Sequence, residues 1–290
     1  MKKNILSYPS HLDEVFKENI VFSVHSLFKN TVNLNYKDSL ITLQHRSLML
    51  TPMSISLDVS QIEFTHMFLE NDTKVYIKDK SLYINHTSFD ITNSNLVDLK
   101  FIVNSNIDPF LNILLYKKLK HYLLSINGRG ELLKAYKVLN DDWTQKLSIL
   151  SEYFYHKLSH LKKLKLNDYQ SEWFDLIGVG EGLTPSGDDF LCGLLISTYF
   201  MNSHEMIDFR NMLHENLVHQ IDRTTDISRA YLKHACDGRY MEGLIRLYKK
   251  CEKKEDINQI LDEISAIGHS SGTDLLVGLV FGLELGGIKE

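Results

Sequence analysis

The period of the apolar residues changes once along the chain, and that change limits the fold more than any other feature. From about residue 20 to residue 100 the period is two, in short runs rich in Val, Ile, Thr, Tyr and Phe: "IVFSVHSLF", "SLITLQH", "MSISLDV", "TKVYIKD" and "SLYINH". Polar segments such as "NTVN", "NYKDS" and "KDKS" separate them. This pattern predicts short strands in a small antiparallel sandwich or barrel. Pro52 falls between two such runs, as a residue without an N–H should. His45 and Arg46, in "HRSLMLTP", read as exposed strand residues.

From about residue 107 the period becomes helical. "DPFLNILLYKKLKHYLLSI" begins a helix, with Asp108 as cap and Pro109 at the first helical position. "TQKLSILSEYFYHKLSHLKKLK" is a long amphipathic segment whose basic end suits a helix C-terminus, its lysines and histidines forming a solvated face. Further helices are expected at about 187–201, 204–221, 225–237, 239–251, 255–266 and 272–286. The fold class is therefore α+β. An antiparallel β sandwich or barrel-like region (1–105) precedes a larger all-helical domain (106–290) that contains a pair of buried glycine-rich helices.

Those two helices belong to an internal repeat. "SGDDFLCGLL" (186–195) and "SGTDLLVGLV" (271–280) share S-G-x-D-x-L-x-G-L at an offset of 85 residues. Ser186 matches Ser271, Gly187 matches Gly272, Asp189 matches Asp274 and Gly193 matches Gly278. Both helices are apolar nearly all round, so they belong in a core. Gly193 and Ser197 are four apart, as are Gly278, Gly282 and Gly286, leaving a smooth stripe for a neighbouring helix. Glycine inside a helix costs about 0.5–1 kcal/mol relative to alanine, and close packing is what offsets it. The two helices should therefore pack together with their starts in one region.

Each copy also has Ser followed three residues later by Asp, the pattern of a capping box worth on the order of 1 kcal/mol. Capping accounts for Ser186, Asp189, Ser271 and Asp274 but not for Asp188, Glu181 or the glycine run Gly178-x-Gly180-x-Gly182. Two buried helix starts would present free amides and positive dipole ends, an arrangement that suits an anion. The adjacent acids would repel one. Three resolutions follow: a cation such as Mg²⁺ held by Asp188, neutralisation by Arg or His, or acids that bind an amide or ammonium-like group. A second constellation, "DRTTDISRAYLKHACDG" (222–238), has Thr224 or Thr225 as a cap, Ser228 one turn on, and Arg223 and Arg229 beside it. A surface helix with an ordinary cap accounts for it equally. His269, in "IGHSSG", directly precedes the second helix start.

The bulk numbers narrow the setting. With 290 residues, 43% hydrophobic and 24% charged, the chain has enough apolar material for a full core. A net charge of −5 argues against a grip on nucleic acid or an anionic membrane. The scattered Cys192, Cys236 and Cys251 point to a reducing compartment, expected to be the cytoplasm. The first twenty residues lack the apolar core of a signal peptide, and no run is long enough to span a bilayer. There is no Walker A, no G-x-S-x-G elbow, no H-E-x-x-H and no dinucleotide fingerprint.

"GxGxGLTPSGDDFLxG", then "TTxIS", then "GHSSGxDLLxG", is similar to the AllH-like family, formerly a domain of unknown function. Gly178, Gly180, Gly182, Leu183, Thr184, Pro185, Ser186, Gly187, Asp188 and Asp189 carry the first motif. Thr224, Thr225, Ile227 and Ser228 carry the second; His269, Ser270, Ser271, Gly272 and Asp274 carry the third. The resemblance spans residues 176 to 286 and is looser over the β-rich front. It implies a subunit of the oxamate carbamoyltransferase of anaerobic allantoin breakdown, working with two different partner proteins. The implied reaction is phosphorolysis of carbamoyl-oxamate to oxamate and carbamoyl phosphate. Residue roles are expectations from chemistry. Asp188, Asp189 and His269 are the candidate catalytic groups. Gly180, Glu181, Gly182, Thr184, Ser186, Gly187, Arg223, Thr224, Thr225, Ser228, Arg229, Ser270, Ser271, Gly272 and Asp274 are the candidate contacts to a small anionic substrate. Helix-start amides or hydroxyls would stabilise charge on a carbonyl oxygen, an Arg would hold a carboxylate, and His269 or Asp189 would move a proton.

Overall fold

The structure, a computed structural model, describes residues 2–68, 73–102, 109–128, 130–140, 146–164, 166 and 171–288. It divides into two compact units. One comprises residues 1–100 with Tyr240–Glu242, the other residues 101–239 and 243–290.

The first unit is a β-barrel. Its strands are β1 (Lys2–Pro9), β2 (Ile20–Leu27), β3 (Thr31–Tyr36), β4 (Ser39–His45), β5 (Ser54–Leu57), β6 (Val75–Lys78), β7 (Ser81–Ile84), β8 (Thr87–Asp90) and β9 (Asn95–Val97). Their order is β5-β4-β3-β2-β6-β7-β8-β1, closed by pairing of β1 with β5, and β9 adds to the far end of β1. Most neighbours are antiparallel, but β4–β5, β1–β8 and β1–β9 are parallel, so the barrel is mixed. Closure removes the exposed edges that an open sheet of this size would carry. Local turn chemistry supports the register: Asp79 and Lys80 both have positive φ between β6 and β7, as a two-residue primed hairpin requires. Inward positions such as Leu34, Leu43, Leu57, Val75, Leu82 and Phe89 fill the lumen. A 3-10 segment, Ser10–Lys17, adds Leu12, Val15 and Phe16, and helix α1 (Gln61–Met67) adds Phe64.

His45 corrects an expectation. It ends β4, which lies between β3 and β5, and it is only 4% exposed. Its Nδ1 accepts the Ser47 N–H at 3.3 Å, its ring meets Phe64 edge-on, and burial pulls its pKa below the ordinary value. Arg46 is exposed and pairs with Asp58.

The second unit is helical: α2 (Pro109–Ser125), α3 (Glu131–Asn140), α4 (Ile149–Leu161), α5 (Ser186–Met201), α6 (His204–Val218), α7 (Asp226–Cys236), α8 (Glu242–Glu252), α9 (Asn258–Ser265) and α10 (Ser271–Leu285). Pro109 opens α2 as expected; its proposed cap Asp108 lies outside the described residues. Elements that escaped the periodicity reading include α3, helix α1 inside the β-rich stretch, strand β1, and β3, whose two ends were read as the polar separators "NTVN" and "NYKDS". The apolar residues of β1 are interrupted by Lys2, Lys3 and Asn4.

Helices α5 and α10 form the centre of this unit and are buried on nearly every face. They run side by side with their starts together, and glycine makes this possible. A Cβ on Gly193 would collide with the Leu275 carbonyl, and one on Gly278 would collide with the Phe190 carbonyl. The arrangement is reciprocal, because Leu275 stands in the second repeat where Phe190 stands in the first. Gly282 takes Ser197 in the same way, and Gly286 takes Met201. Phe190 and Phe281 close the seam with an edge-on contact at 5.3 Å. The pair is thus related by an approximate two-fold axis, and the repeat in sequence is a repeat in space.

Candidate functional site

The starts of α5 and α10 are joined before the glycine contacts begin. The Thr184 and Ser271 hydroxyls hydrogen bond to each other at 2.7 Å. One turn further along, Asp189 and Asp274 lie between that link and the Gly193 and Gly278 contacts. Asp274 is wholly buried, and neither carboxylate oxygen has a hydrogen-bond partner among the described residues. Asp189 is 9% exposed, and its Oδ2 is likewise unpartnered.

Burial raises both acids. Asp274 is pushed up to about 7, against the opposing pull of the nearby Ser186 and Ser270 hydroxyls, neither of which completes a hydrogen bond to it. Asp189 is held well above the carboxylate range by burial first and by the charge of Asp274 second; Ser271 and Thr184 act against the shift. The serine of each repeat therefore lies by the aspartate of the other. The charge of Asp274 thus opposes ionisation of Asp189, in the same sense as burial does.

The capping-box expectation is overturned here. The N-caps are Pro185 and Ser270, and neither makes a side-chain cap. Ser186 and Ser271 are the first helical residues, one position too late to cap, which frees Asp189 and Asp274 from that duty. The amides are less free than expected. Gly187 N–H donates to Val179 O at 2.8 Å, and Asp188 and Asp189 N–H donate to Pro185 O. In the second copy Gly272 N–H donates to Ile267 O and Asp274 N–H to Ser270 O. Most of the first-turn donors are consumed by the approaching chain, so the anion site imagined from bare helix starts is not presented in that form.

Asp188 has a different role from its neighbour. Its Oδ1 accepts the Gly178 N–H at 2.9 Å, and its Oδ2 accepts the hydroxyls of Thr224 and of Ser228, the latter at 2.7 Å. It is 1% exposed; burial raises its pKa, with Thr224, Gly178 and Ser228 pulling it back. This acid joins the glycine loop to the start of α7. Thr225 is the cap of α7, accepting Ser228 N–H at 3.1 Å, and its hydroxyl donates to Leu183 O. Gly178 has φ +74° and sits 2.6 Å, measured from its missing Cβ, from Arg223 O, a place no other residue fits. Gly180 packs on the Ser186 amide.

Other expected residues lie at the edge. Glu181, Gly182 and His269 are exposed. Arg223 donates to Gln220 at 2.8 Å. Arg229 pairs with Asp222 and Asp226, each at 3.3 Å, and so is engaged by acids of its own segment. Among the described residues no group of three His, Cys, Asp or Glu side chains is arranged to hold a metal, and the Asp188 oxygens are already occupied by donors. One contact was missed by sequence reasoning. Gly130, just before α3, comes within 3.0 Å of Ser270 Cβ and 3.3 Å of Asp274 Oδ1, again measured from its missing Cβ. Its signal was the "GRG" preceding an apolar run.

Residues 176–283 match the family described as oxamate carbamoyltransferase subunit AllH, and residues 4–96 match the AllH family N-terminal domain. The chain belongs to the AllH family. No solved structure matches the chain. The larger match runs from the residue on which Gly187 packs, Leu176, into the last turn of α10. It therefore takes in the glycine loop, the α7 start and both repeats. The family description supports a carbamoyltransferase subunit, and the word subunit implies a multi-chain enzyme. No helix among the described residues is long and apolar enough to cross a membrane.

Proposed function

We propose that the chain is a substrate-binding subunit of an oxamate carbamoyltransferase, acting in allantoin and purine nitrogen breakdown in the cytoplasm with two other subunits. Its site is the joined start of α5 and α10, and nucleic acid and membrane have no part in it. The observation that carries this reading is two buried acids, with both oxygens of Asp274 and the Oδ2 of Asp189 unpartnered among the described residues, inside the segment matched to the family. Carbamoyl phosphate and oxamate share one feature, a –CO–NH₂ group. Its N–H donors are what an unpartnered carboxylate lacks. This favours the third resolution of the acid problem, an amide ligand, over a metal.

The proton balance agrees. When hydrogen phosphate attacks the carbamoyl carbon of carbamoyl-oxamate, a C–O bond forms and the C–N bond to the oxamate nitrogen breaks. That nitrogen takes up one proton, and the hydrogen phosphate gives one up. A protonated member of the acid pair supplies the first, and the pair recovers the second. On this reading the hydroxyls of Ser186, Ser271 and Thr184 hydrogen bond the carbonyl oxygen as charge develops on it. Exposed His269 and the Glu181–Leu183 loop form the rim.

The test is carbamoyl transfer by the reconstituted complex bearing Asp189→Asn, Asp274→Asn or His269→Ala. Turnover near the wild-type value in all three ends the proposal. One observation favours a second reading, that of an assembly subunit: the helix-start amides are mostly used internally. On that reading the same variants elute from size-exclusion chromatography without their partners while retaining no specific defect in turnover once assembled.

A further inference from the structure

The two-fold relation between the repeats places chemistry as well as packing. Three pairs of equivalent groups meet across the axis. Gly193 faces Leu275 and Gly278 faces Phe190; Ser186 lies by Asp274 and Ser271 by Asp189; Asp189 and Asp274 occupy equivalent places in the seam, one turn past the Thr184–Ser271 link and one turn before Gly193 and Gly278, where the charge of Asp274 raises Asp189. The first set has a packing reason and the second a polar one. The third has neither, since two acids buried together oppose folding. Each is brought to the start of the other's helix, and Asp274 arrives at the start of α5 with both oxygens unpartnered and no exposure at all.

We infer that Asp189 and Asp274 act as one unit, a two-fold-related carboxyl pair that receives the N–H donors of a carboxamide group at the start of α5. The inference rests on the carbamoyltransferase reading for its natural ligand, but its geometry does not. A pair with one proton offers acceptor oxygens on one member and an O–H donor on the other. A carboxamide is the complement, with two N–H donors and one carbonyl acceptor in a plane. A carboxylate ligand, with acceptors only, meets the charged member of the pair and is rejected. The site thereby distinguishes –CO–NH₂ from –COO⁻, groups of nearly equal shape.

The charged and titratable groups facing the pair among the described residues are few. Asp188 and Cys192 lie on α5, and burial raises both above their ordinary values. Just before α3, Gly130 approaches with backbone only, while the next residue, Glu131, is held by Lys134, Ser148 and Ser151. No described lysine or arginine pairs with either acid.

The experiment is a pH titration of the full-length chain with ¹³C-carboxyl aspartate, followed by NMR, in wild type, Asp189→Asn and Asp274→Asn. Removing either acid should lower the titration of the other. Independent titration of the two overturns the inference. Three probes are then added: oxamate, oxalate and acetamide. Oxamate should shift both carboxyl resonances, oxalate should not, and acetamide at high concentration should reproduce the shift. Acetamide acting where oxamate does not keeps the paired receptor and rejects the carbamoyltransferase reading. Shifts from oxalate equal to those from oxamate, or from neither amide, overturn the receptor. A purely structural pair would show coupling without any response to amides.

Discussion

The two helix starts share a sequence and differ in what surrounds them. At the second, Asp188 has Thr273 as its counterpart, whose hydroxyl merely donates to Ser270 O at 2.7 Å. At the first, Asp188 gathers three donors from two other segments, and the glycine run carries the chain past Arg223 to reach it. Residues common to both copies build the α5–α10 seam and the acid pair. Residues found only in the first copy fasten that seam to α7. The comparison separates two jobs that the motif "GLTPSGDD" runs together.

The seam should be the most sensitive feature and should fail equally from either side. Gly193→Ala and Gly278→Ala each drive a Cβ into a backbone carbonyl of the partner helix. Each should cost more than about 4 kcal/mol, the range reserved for severe core clashes. Urea denaturation of the two variants checks this, and a large cost in only one would break the symmetry.

The acid pair should produce an unusual pH dependence. An acid whose folded pKa is raised contributes stability that is full below the ordinary carboxylate pKa and lost as pH rises through the folded value, here about 7 for Asp274. Asp274→Asn should therefore make the chain more stable than wild type above that pH, by on the order of 4 kcal/mol at most at about 1.4 kcal/mol per unit. Melting curves taken across that range test the sign; a less stable variant at alkaline pH contradicts it.

Asp188→Ala should cost about 3 kcal/mol, since it strands the Gly178 amide and two hydroxyls at roughly 1 kcal/mol each. Thr273→Val, at the matching position of the second copy, should cost about 1 kcal/mol or less. Equal losses would erase the distinction between the two starts. Glu181→Ala, on the exposed loop, should change stability by no more than about 0.5 kcal/mol. Any effect it has should appear in substrate binding or partner association.

Much of this was legible in the sequence for physical reasons. Alternating Val, Ile and Leu in the short runs between residues 20 and 90 favours a sheet with an inside and an outside, whereas its closure into a barrel depends on the β1–β5 pairing. Small residues four apart in two apolar helices, Gly193 and Ser197 in one and Gly278, Gly282 and Gly286 in the other, announced the seam. What escaped was local offset. A serine at the first helical residue and a serine at the cap look alike in sequence, yet the offset decides whether the following aspartate is consumed or left free. Ser186 and Ser271 fall on the wrong side of that line. His45 was misplaced because the closure of β5 onto β1 cannot be read from β4 alone. The partners of Arg223 and Arg229, Gln220 for the first and Asp222 and Asp226 for the second, could not be read from residue type either.

The most direct test of the account is carbamoyl transfer by the reconstituted complex carrying Asp274→Asn in this subunit. That substitution keeps shape, and below neutral pH it keeps charge. The account predicts a loss of turnover of about 100-fold or more, as for a removed proton-transfer group, with assembly and melting temperature at mildly acid pH unchanged. Turnover within about two-fold of wild type, in an intact complex, would contradict it.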